Sequence, residues 1–150
     1  VFESQEEVET AFRNNELNTD TIIVVRFQGP KANGMPELHG LTPILAVLQD
    51  RGLKVALITD GRMSGASGKV PAAIHLSPEA ANLGPISKIK NGDLIRLDAR
   101  SGELNILDEN FEIRESRKKD LSENERGLGR ELFNIFRENA TAAKFGGGIT

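Results

Sequence analysis

Thr21-Ile22-Ile23-Val24-Val25-Arg26-Phe27 is the stretch that decides the fold. It is short, β-branched and nearly all apolar, the pattern of a strand covered on both faces rather than one that alternates toward solvent. Lys54-Val55-Ala56-Leu57-Ile58-Thr59 repeats it. Between the two, residues 41–51 place Ile44, Leu45 and Leu48 on one side of a helix that Gly52 ends. Upstream, Ser4-Gln5-Glu6-Glu7 has capping-box spacing, and Val8, Ala11 and Phe12 then share a helical face. That predicts a helix over about 4–14.

The remainder reads as shorter elements. Residues 28–36 hold two Gly and two Pro and are expected to be a loop. Residues 74–76 read as a strand and residues 79–82 as a helical turn. Residues 86–89, 94–98 and 103–107 read as short strands separated by Asn91-Gly92 and Arg100-Ser101-Gly102, spacing that suits a meander or small barrel. Residues 127–139 carry a helical pattern with Leu128, Leu132, Phe133, Ile135 and Phe136 toward the core. The Gly146-Gly147-Gly148 tail is expected to be mobile. The expectation is a single mixed α/β domain over residues 1–150, with a barrel-like sheet and flanking helices.

Composition narrows the function. The 150 residues carry a net charge of −3 with acids and bases interspersed, so there is no footprint for nucleic acid and no polybasic membrane patch. No apolar run approaches the roughly 20 residues of a membrane span, and no signal peptide precedes the start, which points to the cytoplasm. The chain begins at Val1 rather than Met, as a piece of a longer protein would. Cysteine is absent, which excludes a disulfide scaffold, a thiol nucleophile and a thiolate-held cluster within the chain. Seven Phe with no Tyr or Trp argue against base stacking or an aromatic cage.

Two loops concentrate the chemistry, each placed directly after a buried strand, where ligands collect in open α/β sheets. The second, Thr59-Asp60-Gly61-Arg62-Met63-Ser64-Gly65-Ala66-Ser67-Gly68-Lys69-Val70-Pro71, has the makings of an anion site. Its glycines let backbone N–H groups approach a ligand, Arg62 and Lys69 add charge, and Ser64 and Ser67 add hydroxyls. It is not a Walker A loop: the required first glycine falls on Met63, and Val70 stands where the metal-binding Ser or Thr belongs. The plain alternative is a tight surface turn. The first loop, Gly29-Pro30-Lys31-Ala32-Asn33-Gly34-Met35-Pro36-Glu37-Leu38-His39, offers Glu37, which suits a hard cation or simply a solvated helix start. His39 and His75 lack zinc spacing and read as structural. Met35 and Met63 read as loop packing, and the charged run 114–126 as a solvated face.

Together these loops resemble the family of phosphogluconate and dihydroxy-acid dehydratases over essentially the whole chain. The likeness is closest at Val24–Lys31, at Gly34-Met35-Pro36-Glu37-Leu38-His39 and from Leu57 to Ala80. Met63 and Ser67 look like the 6-phosphogluconate branch. The dihydroxy-acid branch usually has Phe at the first position and Thr near the second.

The resemblance implies a hydro-lyase acting on 6-phospho-D-gluconate in the Entner–Doudoroff pathway, with another sugar acid or a branched-chain 2,3-dihydroxy acid as the alternative substrate. A barrel that only binds a phosphorylated ligand is the non-catalytic alternative. Residue by residue, it implies Ser64 as the proton-abstracting base and Glu37 as a Mg²⁺ ligand. Substrate contacts are expected from Arg62, Gly65, Ser67 and Lys69, with Lys31 a weaker candidate. It further implies a swivelling β/β/α domain like that of aconitase-type enzymes. The iron–sulfur cluster, of 4Fe-4S type, would be held by an N-terminal domain absent from this chain, with Mg²⁺ shared between the domains and a homodimeric assembly.

Overall fold

The computed structural model describes residues 1–63 and 68–149. Strands β1 (Thr21–Val25) and β2 (Val55–Thr59) lie side by side and parallel, Thr21 opposite Val55 through Val25 opposite Thr59. β3 (Ala72–Ala73) extends the sheet in parallel beyond β2. On the other edge Phe2 bridges to Val25, its N–H donating to Val24 O at 2.8 Å.

Parallel strands need cover on both faces, and their period-two alternation supplies two apolar sets. Ile23, Val25, Val55 and Leu57 face helices α1 (Gln5–Arg13) and α3 (Leu41–Asp50), meeting Val8, Leu41, Leu45 and Leu48. Val24 and Ile58 face the other way, onto Phe27, Ala80, Ile86, Ile89 and Phe111. The expected first helix is present: Ser4 is its N-cap, its hydroxyl accepting from Glu7 N–H. Leu57 is fully buried in the centre of the sheet. Leu57→Ala is expected to cost about 2–5 kcal/mol in chemical unfolding. Leu128→Ala, at a fully exposed side chain, should stay within about 0.5 kcal/mol.

The second half departs from expectation. β4 (Ile95–Asp98) and β5 (Glu103–Ile106) form the antiparallel hairpin, Ile95 opposite Ile106. They bond only to each other, and no closed barrel forms among the described residues. Residues 86–89 are not a strand: Pro85–Lys88 is a 3₁₀ turn that buries Ile86 and Ile89. A short apolar run looks alike in either setting, and Pro85 removes a donor that a ladder would need. The strand expected at 74–76 lies earlier, at Ala72–Ala73, while the turn near residue 80 is present as a 3₁₀ turn at Ala80–Asn82. The loop read at 28–36 contains a short helix, α2 (Pro30–Asn33), opened by Pro30 and closed by Gly34 at φ 67°.

The last helix is reduced to a 3₁₀ turn, Arg130–Phe133, and α4 (Asn134–Asn139). Gly127, Leu128 and Gly129 all take left-handed φ, which no helix accommodates. The residues expected in the core, Leu128, Leu132, Phe133, Ile135 and Phe136, are exposed. The charged run is not all solvated either. Arg114 is largely buried between Asp93 and Asp108, and Arg117 and Lys119 close on Glu3. In the glycine tail, Gly148 O accepts from Thr141 N–H at 2.8 Å. No described helix is long and apolar enough to cross a membrane.

Candidate active site at the carboxyl edge of the parallel sheet

β1 and β2 end together, so the loops that follow them leave from one edge. Asp60 holds that edge. It is fully buried, and its carboxylate accepts from Phe27 N–H (3.2 Å), Gln28 N–H (3.0 Å) and Ala80 N–H (2.8 Å). One side chain thus fixes the start of the first loop, the start of the second and the turn at Ala80. Burial pushes its carboxyl above the usual aspartate range, against the lowering effect of those three N–H groups. Gly61 follows because the backbones are close: a Cβ there would sit 2.7 Å from Gln28 Cβ.

Glu79 acts in the same way one layer further out. Its carboxylate accepts from Lys31 N–H and Ala32 N–H, both at 3.0 Å, and so caps α2. Burial raises its carboxyl, the two N–H groups oppose this, and the charge of Asp60 raises it further. Gly29 must be glycine because a Cβ would stand 2.4 Å from the Glu79 carboxylate. Phe27, Met35 and His75, all non-glycine, hold left-handed φ at 61°, 58° and 58° along this edge. Such backbone costs on the order of 1–3 kcal/mol per residue and clusters at functional sites.

The two loops meet at Glu37 and Arg62. They pair as a parallel bridge, Leu38 N–H donates to Arg62 O at 3.0 Å, and Arg62 Nε–H donates to Met35 O at 2.9 Å. Arg62 Nη1 stands 3.6 Å from Glu37 Oε2. The arginine side chain is half-exposed, so this ion pair contributes at most about 1 kcal/mol. Both residues picked out in the sequence therefore stand side by side.

Lys69 does not join them. Its ammonium lies 2.9 Å from Asp50, the last residue of α3. Lys31 contributes its backbone N–H to the Glu79 cap. His39 and His75 are exposed, and no cluster of three His, Asp or Glu suited to a metal occurs among the described residues. Met63 is buried in the core, as its loop-packing reading expected. Ser64, Gly65 and Ser67 lie outside the described residues. Sequence reasoning missed Asp60, Glu79 and Gln28. Only Asp60 carried a signal, as an acid placed directly between a buried strand and a glycine.

The geometry defines a mixed α/β domain with a polar loop pair at the carboxyl edge of its parallel strands, and comparison with known proteins agrees. The family described as dihydroxy-acid/6-phosphogluconate dehydratase C-terminal matches residues 1–147. The phosphogluconate dehydratase of Rhizobium meliloti is 56% identical over 151 residues, covering 99% of this chain and 25% of that protein. That of Escherichia coli K12 is 53% identical over 148 residues, covering 97% and 24%. The dihydroxy-acid dehydratase of Methanosphaera stadtmanae is 40% identical over 130 residues, covering 85% and 23%. The chain belongs to the dihydroxy-acid/6-phosphogluconate dehydratase C-terminal family. It spans about a quarter of the length of the curated relatives it matches.

Proposed function

We propose that this chain is the C-terminal domain of a phosphogluconate dehydratase, converting 6-phospho-D-gluconate to 2-dehydro-3-deoxy-6-phospho-D-gluconate and water. The observation that carries the reading is the Glu37–Arg62 junction, at 3.6 Å, on a chain more than half identical to phosphogluconate dehydratases over nearly all its length. In this reading Ser64, two residues beyond Arg62, takes the proton from C2. The 3-hydroxyl then leaves as water and the resulting enol becomes the 2-oxo acid.

Glu37 is one oxygen ligand of a Mg²⁺ ion. A carboxylate at the carboxyl edge of the parallel strands, where the two loops meet, has the hard oxygen donors that role needs, and we assign the remaining ligands to another domain of the enzyme. Mg²⁺ bound there would offset the charge of the substrate carboxylate and polarise its 2-hydroxyl, which would ease removal of the C2 proton. An iron–sulfur cluster does not fit this chain, which has no cysteine. A cluster of the whole enzyme would be held by another domain.

Arg62 carries two duties: it holds the Met35–Glu37 segment in place and offers its exposed edge to the substrate. Gly65 and Ser67 belong to the same loop and complete the proposed contacts. Lys69 is the outlying member, and an anion must draw it from Asp50 before it can contribute. We place the protein in the cytoplasm as a homodimer. This domain is read as a swivelling unit that closes its edge against the larger domain.

Steady-state turnover by the full-length enzyme tests the substrate. Activity on 6-phosphogluconate is expected to exceed that on 2,3-dihydroxy-isovalerate by at least about 10²-fold in kcat/KM, because a site built for a polar group rejects the analogue that lacks it. Equal or reversed preference would overturn the assignment.

A further inference from the structure

The loop bearing Glu37 has a second neighbour besides Arg62. A groove of about 640 Å³ runs between Pro30, Gly34 and Pro36 on one wall and Arg130, Phe133 and Arg137 on the other. Pro36 is bonded in sequence to Glu37, so the groove opens beside the proposed metal ligand.

Its two arginines are held by neutral groups. Arg130 Nη1 donates to Glu123 O (3.2 Å) and Asn124 Oδ1 (3.4 Å). Arg137 donates to Asn124 O and to Asn134 Oδ1. Asn124 in turn donates to Ala32 O at 2.9 Å, which ties both guanidiniums to α2. Among the described residues neither arginine has a carboxylate within ion-pairing distance. Glu131 feels the charge of Arg137, but its oxygen is taken by Gly127 N–H at 2.7 Å. Each guanidinium has five N–H donors and most of them remain unused. Lys31 lines the adjoining cleft with Arg137, where Glu125 and Glu138 also stand. Two planar forks on one groove, neither closed by an ion pair, suit a phosphate dianion.

We infer that Arg130 and Arg137 bind the phosphate end of the substrate, with Lys31 as a third cation, while the Glu37–Arg62 edge holds its carboxylate end. The inference rests on the proposed dehydratase reading.

The test uses the full-length enzyme with Arg130→Gln, Arg137→Gln and the double variant, assayed on 6-phosphogluconate and on unphosphorylated gluconate. The double variant is expected to raise KM for 6-phosphogluconate about 10- to 100-fold, the effect of losing charge-assisted hydrogen bonds. Its kcat/KM on gluconate and the wild-type kcat should be kept, and Arg137→Lys should recover some of the loss. Equal loss on both substrates, or none on the phosphorylated one, overturns the site. Arg130 is exposed, so Arg130→Gln alone carries the test, at about 10-fold, if Arg137 variants do not fold. Should the wild type fail to turn over 6-phosphogluconate, the dehydratase reading falls by itself. Calorimetry with inorganic phosphate then judges the site: binding abolished by the double variant supports it, and unchanged or absent wild-type binding overturns it.

Discussion

Ser64→Ala in the full-length enzyme is expected to lower kcat on 6-phosphogluconate by about 10²–10⁴-fold, the range for removing a proton-transfer group, with KM within a few-fold of wild type. A hydroxyl is a very weak acid, so it acts as a base only where positive charge and N–H donors favour its alkoxide. In the proposed reading that charge comes from Arg62, two residues before Ser64, and from Mg²⁺ at the Glu37 edge; the Leu38 N–H to Arg62 O hydrogen bond of 3.0 Å joins the two loops. Exchange of the C2 proton of bound substrate with solvent, followed in deuterated water, separates the base from a mere binding contact. The variant should lose exchange and turnover together. Exchange at the wild-type rate with turnover lost would move Ser64 to the later step of water departure, and unchanged kcat would remove it from the chemistry.

What the sequence disclosed follows from how far apart the partners are. The two central strands were legible because each is a local apolar run, and α1 because Ser4 and Glu7 are three residues apart. Glu37 and Arg62 were each legible as candidates, but their pairing was not, since a bridge across 25 positions leaves no local pattern. Lys69 was placed at the site because a cation beside glycines looks the same whichever way the loop carries it. The structure takes it to Asp50. The helix expected at 127–139 had the right period, yet Gly127 and Gly129 break it at the start and leave its apolar residues facing solvent. Asp60 was the costliest omission: its three donors come from residues 20 to 33 positions away.

That omission leads to the largest stability effect expected of a single replacement. Asp60→Ala leaves the N–H groups of Phe27, Gln28 and Ala80 without their acceptor, in a place where Asp60 itself has no exposed surface. Each unsatisfied buried group costs about 1–3 kcal/mol. Relief of the buried acid's own desolvation offsets some of the sum, so the net loss should be on the order of 3–5 kcal/mol. For a chain of this size that lowers Tm by roughly 10 °C. Asp60→Asn keeps the shape and one acceptor and should lose less.

The pH dependence has a definite sign. Burial raises the Asp60 carboxyl above its ordinary 3.8, so the folded chain holds that proton more tightly than the unfolded chain does. Its contribution is therefore fully present below that ordinary value and is lost as pH rises through the folded value. The destabilisation caused by Asp60→Asn should then shrink as pH climbs from acid toward neutrality. Denaturant unfolding of wild type and variant over that range measures it directly. A gap that widens with pH would mean that the three N–H groups outweigh burial and lower the Asp60 carboxyl below its ordinary value.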